Sequence, residues 1–288
     1  MIGRGLARLH WLDWLLLALI GLFAWHVWAQ IDGALNYKWR WQIMPQYLLR
    51  FDDEAGRWVP GTLMVGLLNT LRISVMAAAL ALLLGVVVGI ARCARQLTVR
   101  MLARSYVELL RNIPSVVVIF IFYFFLSEQL IAALEVEAWA REVARGENAW
   151  LWQIAFGDMR RFPSLVSGIL VLALFEAAFV AEIVRAGIQS VPQGQREAAR
   201  AIGLGWRDEM RFVVLPQAMR KVVPPLASQF IALVKNSAIV SLISVHDLTY
   251  RTVELVSSTR AIFEAWITTA ILYGLLCLCL SLLFRRLE

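Results

Sequence analysis

Histidine and cysteine are scarce in this 288-residue chain, three of each, and neither gathers into a cluster. Cys93, Cys277 and Cys279 fit no CxxC or zinc-ligand spacing. The last two stand inside an apolar run, where a thiol acts as a small hydrophobe. His10, His26 and His246 are far apart in sequence, and no HExxH or GxSxG pattern accompanies them. That leaves no constellation for a metalloprotease or an intramembrane hydrolase. A G-x-x-x-x-G-K-[ST] loop is also missing, so the chain carries no ATP-hydrolysing P-loop of its own. No internal repeat or low-complexity tract is apparent, whereas ion-coupled secondary transporters are commonly built from two related halves.

Charge is the next scarcity. Only 17% of residues are charged and 60% are hydrophobic, against about a quarter and about a half in soluble domains. The mean hydropathy is +0.67. Twelve Trp and fourteen Phe suit a chain whose rings sit at membrane interfaces. The net charge of +7 does not point to nucleic acid. Its Lys and Arg residues occupy short links between apolar runs, where basic residues set orientation. The first apolar run has no small-residue cleavage site after it and is followed by further runs. It therefore reads as a retained helix, not a signal peptide.

A helix that crosses the hydrocarbon core needs about 20 largely uncharged residues. Residues 14–31, 73–91 and 265–284 meet this outright. Residues 114–134 qualify with Glu128 inside, from a start set earlier, near Val107. Residues 165–184 contain Glu176 and Glu182, and residues 222–245 contain Lys235. The expectation is an all-α membrane protein of about six spans in a bacterial inner membrane, in contact with lipid. Arg4, Arg8, the arginines from Arg92 to Arg111, those from Arg185 to Arg220, and Arg285 and Arg286 would share one side. The positive-inside rule makes that side, with both termini, cytoplasmic. Two longer outer loops remain, residues 32–61, with Asp52, Asp53 and Glu54, and residues 135–162. Both are mixed in charge and rich in Trp, and predict amphipathic segments on the membrane surface. His246 and Asp247, at the outer end of the fifth span, would cap a helix or touch an incoming protein. Pro114 would start or kink the third span.

The most distinctive segment lies between the fourth and fifth spans, SVPQGQREAARAIGLGWRDEMRFVVLPQAMRKVVPP, residues 190–225. Pro192 and Gly194 break one helix, and residues 195–202 form a short one with Ala198, Ala199 and Ala201. Gly203 and Gly205 end it, glycine being the residue that accepts a left-handed C-terminus. A second short helix then leads through Leu215 and Pro216 into the next span. Small residues on a short exposed helix permit close approach to a groove on a partner.

EAARAIG, nine residues, then Val213, Leu215 and Pro216 resembles the EAA loop of binding-protein-dependent ABC importers, with Val where Ile is usual. The resemblance implies a type I (MetI-like) importer permease fold, in which this loop docks into a cleft on a cytoplasmic ATPase. Carried over, Gly194, Glu197, Ala198, Ala199 and Gly203 would form the contact, and Leu215 and Pro216 would close the motif. The stretches at residues 66–74, 111–124, 175–195 and 234–252 are similar to polar amino-acid permeases, most of all the glutamate/aspartate and general L-amino-acid types. Residues 61–288 would be the permease core, with the coupling loop at about 190–221. Residues 1–60 would be an additional helix and a periplasmic loop. The resemblance implies no catalytic residue, metal or cofactor in this chain. ATP and Mg would belong to two partner ATPase subunits, beside a second permease subunit (alike or different) and a periplasmic amino-acid-binding protein.

Ionisable side chains inside a span mark pathways or internal pairs. Lys235, Asn236 and Ser237 could meet a substrate carboxylate, or Lys235 could pair with Glu176 or Glu182. Glu182 and Arg185 read as an ion pair or gate near the inner interface. A cation in the path favours glutamate or aspartate. The alternatives are a permease for another amino-acid class, such as basic amino acids, or an ion-coupled transporter that would need no EAA loop.

Overall fold

The computed structural model describes residues 11–33, 37–53 and 56–286. Arg4, Arg8, His10 and Glu54 lie outside the described residues. Among those described, six helical segments are long and apolar enough to cross a membrane. The chain divides into two compact units, residues 1–42 and 43–288. In the first, α1 (Trp11–Gly33) is exposed on all sides over residues 11–30, as suits a helix whose solvent is lipid. Trp28 stacks on Trp39 with ring centroids 4.9 Å apart.

The second unit opens on a five-residue helix, Met44–Leu48, and a hairpin of β1 (Leu49–Asp52) and β2 (Arg57–Pro60), paired antiparallel from Leu49↔Pro60 to Asp52↔Arg57. This hairpin replaces the surface-lying segment expected of the first outer loop. Strands of four residues are too short for their alternation to stand out in sequence. In the second outer loop, α5 (Val136–Val143) is amphipathic with Ala140 buried, and α6 (Ala149–Phe156) follows it.

The central pair is α2 (Thr62–Ala91) against α7 (Phe162–Gln189). Ala77, Ala81, Gly85 and Gly89 recur every four residues on α2 and are all buried. Ala173, Ala177 and Ala181 do the same on α7. Such stripes let two backbones approach closely, which is how helices associate where lipid supplies no hydrophobic drive. A Cβ at Gly85 would fall 2.5 Å from the Val180 Cβ, and one at Gly89 would fall 2.8 Å from the Val184 Cβ.

The third span does not start near Val107. α3 (Leu97–Asn112) is a separate amphipathic helix that buries Ala103, Val107 and Leu110 on one face. It stops because Ile113 is extended, the conformation imposed on a residue before proline. Pro114 then starts the span α4 (Ser115–Ala133). Tyr106 of α3 donates to the Leu174 carbonyl of α7 at 2.5 Å, and burial pushes its phenol up to about 12. Past the short helix α8 (Gln193–Ala201), the second short helix is only Trp206–Asp208, and it runs through a π-turn into α9 (Leu215–Asn236). The fifth span therefore begins well before residue 222 and continues through Pro224 and Pro225. Proline is tolerated inside spans because neighbouring helices re-satisfy the freed carbonyls. α10 (Leu248–Thr259) and the last span, α11 (Ile262–Arg285), complete the unit.

Candidate functional site

α8 is fixed to its own chain by one face only. Arg196 donates to the Ile188 carbonyl of α7 at 2.5 Å, and next to it Lys221 of α9 donates to the Ser190 carbonyl at the end of α7 at 2.7 Å. Arg200 donates from Nε and Nη2 to Glu209 at 2.8 and 3.3 Å, and Glu209 is itself buried. Ala199, one of the expected partner contacts, lies on this inner face at 3% exposure and spaces the helix from the body. It is not on the free surface. Gly194, Glu197, Ala198 and Ala201 follow the i, i+3, i+4, i+7 spacing of one helix face, and all are exposed. Ile202 is 78% exposed beside them, a residue the sequence reading did not single out.

Gly203 ends α8 at φ +85°, with two bonds that wrap the C-terminus, Gly203 N–H to the Arg200 carbonyl at 2.9 Å and Leu204 N–H to the Ala199 carbonyl at 3.1 Å. This is the Schellman arrangement, which needs a left-handed residue at Gly203. Leu215 and Pro216 stand in the first turn of α9.

Inside the bundle, Glu176 of α7 is fully buried. Its carboxylate accepts from Gln229 Nε2 at 2.6 Å and Asn236 Nδ2 at 3.1 Å, both on α9. Glu176 lines a cavity of about 320 Å³ between α2, α7, α9 and α11, otherwise walled mainly by Ala81, Val180, Leu226, Phe230 and Phe284. Gln229, uncharged and in mid-helix, carried no signal in the sequence.

Lys235 is exposed, does not line this cavity and pairs with neither Glu176 nor Glu182. Ser237 donates to the Val234 carbonyl at 2.8 Å. Glu182 instead gathers three cations: it accepts hydrogen bonds from Arg92 and Arg185, and Arg111 Nη1 stands 3.6 Å away. One carboxylate of α7 thus ties together the C-terminus of α2, α3 and its own helix. At the opposite end of the bundle, Asp247 caps α10, accepting from the Tyr250 N–H at 2.8 Å.

Helices long and apolar enough to span a membrane, with a tethered, half-exposed helix between two of them, define an integral-membrane protein of the multi-span helical class. Residues 81–288 match the family model described as binding-protein-dependent transport system inner membrane component, and the chain belongs to that family. It is a multi-pass inner-membrane component of a transport system and not an enzyme. It is 36% identical over 225 residues (78% of this chain, 91% of the relative) to the Bacillus subtilis (strain 168) protein named "Probable glutamine ABC transporter permease protein GlnM". It is 33% identical over 242 residues (84% and 90%) to the glutamate/aspartate import permease protein of Escherichia coli (strain K12). Among solved structures, one described as an amino acid ABC transporter with histidines superposes with a TM-score of 0.63 at 31% identity. It covers 79% of this chain and 92% of that one.

Proposed function

We propose that this chain is a permease subunit of an ATP-driven importer of polar amino acids, and that the free face of α8 is where a separate ATPase subunit drives it. The observation that carries the reading is the two-sidedness of α8. One face is anchored by Arg196, Ala199 and Arg200, and the other presents small residues with Glu197 and Ile202. Force applied to such a helix passes to α9 through Glu209 and the continuous chain, and on to the span that carries Gln229 and Asn236. Two ATPase subunits would bind ATP and Mg, a second permease subunit would complete the path, and a periplasmic binding protein would deliver the amino acid. Both termini would be cytoplasmic, on the side of α8, by the bias of Lys and Arg.

The path would run along α7 and α9 past Glu176, with Glu182 and Arg185 as a gate on the α8 side. Lys235 would act from outside the described cavity, beside Asn236. Relatives named for glutamine and for glutamate/aspartate support polar amino acids as the substrate class. A basic amino acid is the second reading, favoured because Glu176 is the one ionisable group lining its cavity. The test is uptake into proteoliposomes holding this permease, its partner subunits and the binding protein. ATP-dependent accumulation of labelled glutamine or glutamate supports the reading. Uptake by this chain alone on a proton or sodium gradient overturns it.

A further inference from the structure

A second cavity, of about 280 Å³, lies at the end of the bundle opposite α8. Three separate segments bring cations to it: Arg72 from α2, Arg161 from the turn before α7, and Arg251 from α10, with His246 beside them. Their charges are matched in part. Arg72 donates to neutral acceptors, the Asn69 Oδ1 at 2.8 Å and the Ile154 carbonyl at 2.9 Å. Arg161 pairs with Asp158 at 3.8 Å, the one carboxylate among the described lining residues, and Arg251 with Glu254 at 2.6 Å, which leaves Arg72 as the cation of the three without an acidic partner.

One donor here, Arg251 Nε, is buried without a hydrogen-bond partner among the described residues. An unmatched buried donor costs about 1–3 kcal/mol, so such a site favours a ligand that accepts. Gly157, at φ +81°, leaves room for the Arg72 guanidinium, since a Cβ there would lie 2.9 Å from Nη1. Burial and the nearby Arg161 and Arg251 hold the His246 imidazole below its ordinary value, which fits a site with surplus positive charge.

A carboxylate matches this geometry. It offers two oxygens and about four lone-pair positions to forked guanidinium donors. The walls at Ile73, Leu165 and Val245 keep the local dielectric low, which strengthens the attraction. We propose that this cavity is a subsite for the carboxylate of a free amino acid, separate from the Glu176 cavity and on the far side of the bundle from the ATPase surface. The amino-acid identity of the ligand rests on the function proposed above; the carboxylate chemistry does not.

The experiment is calorimetric titration of the purified full-length chain in lipid nanodiscs with L-glutamine, L-glutamate, acetate and the α-amide of L-glutamine. The two amino acids and acetate are expected to bind and the α-amide, which lacks the carboxylate, is not. Arg161→Gln should weaken binding about tenfold or more, Arg161→Lys should restore part of it, and Arg141→Gln, at an exposed arginine of the same outer loop that does not line the cavity, should leave it unchanged. Thermal unfolding of each variant shows that it is folded. Equal binding by Arg161→Gln, equal binding of the α-amide, or no binding of free amino acids at millimolar concentration overturns the proposal. So does a result in which Arg161→Gln impairs docking of the binding protein but not of the free amino acid, since the cavity would then hold a partner's side chain. The titration needs no ATPase, so failure of ATP-driven uptake leaves its outcome readable.

Discussion

Arg200 on the short helix α8 grips Glu209 through two hydrogen bonds, and Glu209 is buried at the foot of the fifth span. This pair links α8 to the segment that continues into the fifth span. Removing Arg200 would leave a buried carboxylate without its fork of donors. Arg200→Ala is expected to speed hydrogen–deuterium exchange across residues 193–214 and to lower transport-coupled ATP hydrolysis. Arg200→Lys recovers the charge but not the two-pronged geometry, and so should recover only part of either loss. Unchanged exchange in Arg200→Ala would show that the pair does not hold the helix.

Gly85→Ala tests the close approach of α2 to α7. Its methyl would press on the Val180 side chain and stand 3.0 Å from the Ala177 carbonyl. Overpacking of this kind costs about 1–3 kcal/mol, so the melting temperature in detergent should fall. Gly274→Ala is the control. Nothing lies within 4 Å of a Cβ there, and Ala is the better helix former, so its melting temperature should hold or rise.

Asp247 makes stability depend on pH. Burial raises its carboxyl from 3.8 to about 6, against the hydrogen bonds from Tyr250 and Thr249 that pull it down. A group with a raised native value binds its proton more tightly when folded, so the protonated form stabilises the fold. That stability is fully present below about 3.8 and is lost as pH rises through about 6. The limit is roughly 3 kcal/mol, at 1.36 kcal/mol per pKa unit. Asp247→Asn keeps a capping oxygen and removes the titration. Its melting temperature should be flatter than the parent's between pH 4 and 7, and parallel curves would contradict the assignment.

Much of this was legible in the sequence, and the reasons for the rest are physical. The spans could be read because lipid demands long apolar runs, and the segment around Glu197 to Pro216 because glycines and prolines fix its turns. The helix over residues 97–112 was hidden by its amphipathicity. It has basic residues on its outer face and only three buried apolar ones, so hydropathy read it as a link running into the next span. Ala198 and Ala199 look alike in sequence, and only the direction of the chain's own body decides that the first is exposed and the second buried. Gln229 gave no signal because an uncharged side chain in mid-span is noticed only once Glu176 stands 2.6 Å away. The cationic cavity assembles Arg72, Arg161 and Arg251 from three distant segments, a convergence no local pattern carries.

Gly203→Val separates the shape of α8 from its composition. A branched residue at φ +85° is strained, by about 1–2 kcal/mol or more for a non-glycine residue, and the Schellman turn should open. A Cβ at Gly203 would meet nothing within 4 Å, so the bundle itself should fold unchanged. The expected outcome is a monodisperse permease that binds its partners more weakly and transports less. A Gly203→Val protein that transports like the parent would remove the turn from the account.

In the proposed function a separate ATPase engages the outward face of α8. The measurement that tests it most directly is photo-cross-linking in the assembled complex, with the reactive side chain placed in turn at Ala198, Ala201 and Ala199. Capture of the ATPase subunit from positions 198 and 201 and not from 199 is the predicted result. No capture from 198 and 201 in a transport-active complex, or equal capture from all three, would contradict it.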